Sequence, residues 1–110
     1  MENVTNLVQL AGNVVKDPKF IFDEKNDFRV LNFTVVVTRQ YVRDGRFVSD
    51  KSFHKVSIRG KLAEEYKDKI KKSSGVQVTG YLRNRNVTRD GVRYPITEVA
   101  VEEAGGIICL

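Results

Sequence analysis

The run Ser52-Phe53-His54-Lys55-Val56-Ser57-Ile58-Arg59 carries the clearest chemistry in the chain. Read as a strand, its side chains alternate, so Phe53, Lys55, Ser57 and Arg59 share one face while His54, Val56 and Ile58 share the other. A strand that buries Val and Ile does not need a ring and two cations on its wet side. That combination suits a ligand with both π-faces and negative charge, and single-stranded nucleic acid is such a ligand. The stretch from Val76 repeats the theme, with Val78, Gly80 and Leu82 expected to turn inward and Tyr81, Arg83 and Arg85 outward. Between Arg39 and Lys61 stand seven Lys and Arg residues, Arg39 and Arg43 among them, against two Asp. That local surplus equals the net +5 of the whole chain. Tyr41, Phe47 and Tyr94 lie in or beside the flanking turns. The expected contacts are bases stacked on rings and phosphates paired with cations.

Other chemistries have no constellation to support them. His54 is the only histidine and alternates onto the side of Val56 and Ile58, which reads as packing or a subunit interface rather than a catalytic base. No Cys/His set has metal-ligand spacing. Gly105-Gly106 is not followed by Lys and Ser/Thr, so no phosphate loop is present. The expectation is a protein that is not an enzyme and needs no cofactor or metal. The lone Cys109 cannot staple a fold and fits a reducing compartment. No apolar run approaches the roughly 20 residues of a membrane span. The first residues, Met1 to Asn6, lack the pattern of a secretory signal. The expected location is the cytoplasm, associated with the nucleoid, or an organelle after processing.

At 110 residues the chain suits one domain, residues 1–110, with a modest core. Strands are expected at Asn6 to Val15, at Phe20 to Phe22, and at Phe28 to Thr38, where Phe33, Val35 and Val37 face inward. Arg39 to Lys51 reads as a basic loop or hairpin turning at Asp44-Gly45. From Lys61 to Lys72 the period changes, with Leu62, Ala63, Tyr66 and Ile70 at helical spacing. Two more strands follow, turning at Asp90-Gly91. This order predicts an all-β, five-stranded OB-fold barrel with one short helix between strands 3 and 4. Gly12, Gly60 and Gly80 would supply the mid-strand coiling that a small barrel needs. An open sheet with one packed helix is the alternative.

The chain also resembles the bacterial and mitochondrial single-stranded DNA-binding protein family over nearly its full length. The matching pieces are Leu10-Ala11-Gly12-Asn13 leading to Asp17-Pro18, Asn32-Phe33-Thr34-Val35, and Phe53-His54-Lys55-Val56 leading into Gly60-Lys61-Leu62-Ala63-Glu64. Gly80-Tyr81-Leu82-Arg83-Asn84-Arg85 and the segment from Tyr94 through Glu98-Val99 complete the set. The resemblance implies a homotetramer, a dimer of dimers, with DNA wrapped around it. It implies stacking at Tyr41 and Phe53, where the family commonly has tryptophan, and cationic contacts at Lys55, Lys61, Lys72, Arg83 and Arg85. His54 would sit near a subunit interface. This chain has no tryptophan, and the family's aromatic positions matching Arg59 and Val87 are not aromatic here. Stacking should then be weaker and charge more dominant. The family's usual Gly/Pro-rich linker and acidic tip, which recruits partners, has no counterpart after Ile107-Ile108-Cys109-Leu110, so that recruitment is not expected. An adaptor that uses the same barrel to bind a replication protein, and an RNA-binding barrel, are the competing readings.

Overall fold

Aliphatic residues at every second position make long strands, and these strands close on themselves. A computed structural model describes residues 5–110. Five strands form the barrel: β1 (Val8–Val14), β3 (Phe28–Arg43), β4 (Arg46–Arg59), β5 (Gly75–Arg89) and β6 (Val92–Val101). The hydrogen-bonded order is β1-β3-β4-β6-β5, and β5 returns to β1 to complete the ring. Every pairing is antiparallel except β4 with β6. The architecture is the expected OB-fold. A short strand, β2 (Lys19–Asp23), lies against β3 outside the ring, and β7 (Ile107–Cys109) adds to β5.

The interior is filled by the inward set of each strand. Leu31, Val35, Val56, Ile58, Val76, Val78 and Val101 are fully buried, and Phe33 joins them. Each such side chain contributes about 1.5–3 kcal/mol of burial. The helix α1 (Lys61–Tyr66) closes one end with Leu62 and Ala63. Arg29 on β3 anchors it through an ion pair with Glu64 at 2.9 Å.

Three expectations need correction. The helix ends at Tyr66 rather than Lys72: Lys69 N–H bonds the Tyr66 carbonyl three residues back, which tightens the chain into a turn that still delivers Ile70 to the core. Of the two readings of Arg39 to Lys51, loop or hairpin, the hairpin holds: β3 and β4 stay paired out to Arg43 and Arg46 around Asp44-Gly45. Gly60 is not mid-strand. It caps α1 with φ near 74°, and its N–H bonds the Arg29 carbonyl. Leu82 alternates inward but is 49% exposed, since β5 is leaving the ring there.

Gly12 and Gly80 do allow close approach. A Cβ would stand 2.2 Å from the Val36 carbonyl oxygen at Gly12 and 2.1 Å from that of Ala100 at Gly80. Both long hairpins turn on Asp-Gly pairs with positive φ at each residue: Asp44-Gly45 and Asp90-Gly91. Such two-residue turns match the twist of the strands they join. Among the described residues no helix is long and apolar enough to cross a membrane.

Candidate nucleic-acid interface

The register of four neighbouring strands lines up the outward residues in rows. One row runs Thr34, Lys55, Glu98, Arg83 across β3, β4, β6 and β5. The next runs Asn32, Ser57, Ala100, Tyr81. Phe53 and Arg59 stand on β4 in the same outward set, two and four residues either side of Lys55. The barrel therefore brings the ring-and-cation faces of β4 and β5 together, with β6 as the floor between them. Phe53 is 62% exposed. Ser57 and Ala100, though outward, are buried beneath the longer side chains around them.

Sequence reasoning missed the part played by Glu98. Its carboxylate is only 2% exposed, although it sits on the outer face. Oε1 accepts from Arg83 Nη2 at 3.0 Å and from Arg85 Nε at 2.5 Å. Burial pushes the Glu98 carboxyl up, but the hydrogen bonds and charges of the two arginines outweigh it and hold the group below its usual range. One carboxylate thus fixes two guanidinium groups and leaves the cluster cationic, with Lys55 beside it. The only sequence signal was the position of an acid among outward cations.

A stability consequence follows from the lowered Glu98 pKa. Its contribution is complete above the unfolded carboxylate value, about 4.3, and is lost as pH falls through the lower folded value. Thermal unfolding followed from neutral pH into that range should show an acid-dependent loss in the native protein. In Glu98→Gln that loss should be smaller.

Tyr81 donates its hydroxyl to Glu102 Oε1 at 2.9 Å, which fixes the ring at the edge of the face. That hydrogen bond, then burial, raises the Tyr81 pKa, while Arg83 and Arg59 oppose the rise. Both cations are therefore near the same ring. Among the described residues Arg59 and Lys55 make no ion pair.

The β3–β4 ribbon extends beyond the barrel and splits the remaining candidates. Residues directly opposite in the ladder share a face, so Arg39, Tyr41 and Arg43 lie with Asp50, Val48 and Arg46. Phe53 lies on the other face, with Lys51 and Phe47. The structure does not bring Tyr41 and Phe53 together. The Arg39 guanidinium stands 4.5 Å from the Tyr41 ring centroid, so one side of that ring is already covered by a cation.

Lys61 is exposed at the start of α1, one residue beyond Gly60. Lys72 lies after the helix, its backbone N–H held by Asp17 Oδ1 at 2.8 Å. Next to Asp17, Lys16 and Lys19 line a groove with Lys55, Arg85 and Glu98, two cations that strand periodicity did not single out. Tyr94 faces outward opposite Val87, and both border a second groove with Lys55 and Arg89. A ring therefore stands across the ladder from Val87. His54 is half-buried, its Nε2 2.9 Å from Ser52 Oγ, and it borders a hollow with Leu82 and Val99.

A family model described as the single-strand binding protein family matches residues 5–106. The chain belongs to the single-strand binding protein family. Among curated members, single-stranded DNA-binding protein 3 of Clostridium acetobutylicum is 31% identical over 99 residues, covering 89% of this chain and 67% of its own. Single-stranded DNA-binding protein 2 of Chlorobaculum tepidum is 34% identical over 97 residues, covering 86% and 65%. The chain thus spans about two thirds of the length of these single-strand binding proteins. Solved structures that share the fold include the following two. The Plasmodium falciparum SSB in complex with ssDNA superposes with a TM-score of 0.84 at 19% identity, covering 100% of this chain and 98% of its own. The small single-stranded DNA-binding protein of Streptomyces coelicolor gives 0.71 at 22%, covering 94% and 92%.

Proposed function

We propose that this protein binds single-stranded DNA without sequence preference and protects it during replication, recombination or repair. The observation that carries this is the shared outer face of β4, β6 and β5, where Phe53 and Tyr81 stand among Lys55, Arg59, Arg83 and Arg85. Stacking on a ring tolerates any base because every base has a π-face. The cations neutralise phosphates and release counterions, so affinity falls as salt rises. Lys61 and Lys72 extend the track at its ends, and Arg39, Tyr41 and Arg43 offer further contacts on the reverse face of the ribbon. The protein acts by binding and not by catalysis, in the cytoplasm with the nucleoid.

The same reading includes a homotetramer. Its support is a sheet face without charge: Gln9, Ala11 and Asn13 on β1 lie opposite Thr79, Gln77 and Gly75 on β5, with Ile108 of β7 beyond Gln77. Leu7 and Leu110 are also exposed. Among the described residues β3 takes up only Asn13 and Val14, so most of that edge of β1 is open to another strand. His54 is assigned to a subunit contact.

Titration with oligo-dT at two salt concentrations, alongside native mass, tests the reading. A log–log salt plot should slope by about −0.7 per phosphate neutralised, and Lys55→Ala should reduce the slope by about one such contact. A mass four times that of the chain is expected. Salt-independent or absent binding would contradict the function, and tighter binding of a matched RNA oligomer would turn it toward RNA.

A further inference from the structure

The outward set of β4 continues past the barrel. Counting back from Arg59 and Lys55, the same face of the strand carries Phe53, Lys51 and, at the hairpin end, Phe47. Phe47 is 91% exposed, the most exposed large apolar side chain among the described residues, and its ladder partner Val42 is 62% exposed. At about 3.4 Å per residue, Phe47 lies roughly 20 Å along the ribbon from Phe53. No core demands a ring there.

We infer that Phe47 is a further base-stacking platform, and that single-stranded DNA leaves the barrel face lengthwise along β4 to reach it. This rests on the DNA-binding reading above. The charge around the tip selects the occupant. Lys51 stands between the two rings on the same face, and Arg43 and Arg46 sit directly opposite each other beside the turn, on the reverse face of the ribbon. Like charges in that position repel. Among the described residues none of these three cations makes an ion pair. A second copy of the chain docked on this tip would bring the same cations against themselves, whereas a phosphodiester relieves the repulsion. Rings and cations alternating along one strand face suit a linear ligand whose bases and phosphates alternate too.

The chain has no tryptophan, so Phe47→Trp and Phe53→Trp are single-tryptophan reporters, excited apart from the four tyrosines. Phe47 is so exposed that neither this variant nor Phe47→Ala threatens the fold. Oligo-dT of about 16 nucleotides, the upper end of OB-fold site sizes, should quench both reporters with the same midpoint. Phe47→Ala should weaken that oligomer's binding roughly 5- to 150-fold, the range for one stacked base. Quenching at position 53 with none at 47 would overturn the inference and leave the DNA-binding reading intact. No quenching at either position would overturn both. A shift of the position-47 emission on simple dilution, without DNA and unaffected by its addition, would overturn the inference in favour of contact between copies.

Discussion

Phe53→Ala combined with Tyr41→Ala is expected to weaken oligo-dT binding by about 2–5 kcal/mol, two stacked bases' worth, or roughly 30- to 5,000-fold in affinity. The two rings stand on opposite faces of the β3–β4 ribbon, Phe53 paired with Val36 and Tyr41 with Val48. Five ladder rows separate those pairs, about 17 Å at strand spacing. Sites that far apart contribute independently, so the single-variant effects should add. The Tyr41 share should be the smaller, because Arg39 already covers one side of that ring. Tyr41→Ala would also free the Arg39 guanidinium, which partly compensates at low salt. Filter binding or fluorescence anisotropy in low salt checks both points. An unchanged affinity in the double variant would mean that stacking on these rings does not hold the DNA.

Gly80→Ala should lower stability by about 1–3 kcal/mol, the usual cost of overpacking a tight site. A Cβ there meets the carbonyl oxygen of Ala100 at 2.1 Å and Val99 Cγ1 at 3.1 Å. The oxygen belongs to backbone, so only a parting of β5 from β6 relieves the clash. That shift falls at the row of Asn32, Ser57, Ala100 and Tyr81, the floor of the proposed binding face. A melting temperature lower by roughly 5–20 °C and a weaker oligo-dT complex should therefore appear together. Gly105→Ala is the matched control: nothing lies within 4 Å of a Cβ there, and its φ is not positive. Equal melting temperatures for the two variants would mean that the close approach of β5 to β6 is not a constraint.

Most of the barrel was legible because its signal is local. Phe33, Val56, Ile58 and Val78 alternate with polar neighbours, and alternation alone assigns them to one side of a pleated strand. The helix start was legible for the same reason, from Leu62 and Ala63. Its end was not, because Ile70 keeps helical spacing while the backbone has already tightened into turns. Long-range consequences were beyond reach of periodicity. In the segment Arg39 to Lys51 the Asp44-Gly45 pair allows a hairpin, but only β4 aligned opposite β3 decides between a loop and a paired ribbon. That pairing separates Tyr41 from Phe53. The Glu98 hub needs β5 and β6 in register before Arg83 and Arg85 converge on one oxygen. The strand at Ile107–Cys109 likewise depends on an open edge of β5, a property of the assembled sheet.

Photo-crosslinking of a bromodeoxyuridine-substituted dT oligomer, with the attached peptides identified by mass spectrometry, tests the location of the binding face most directly. Adducts are expected on β4 and β5 at or beside Phe53 and Tyr81, with further adducts toward Phe47. Adducts confined to the uncharged sheet face around Ala11, Gln77 and Ile108 would contradict that location.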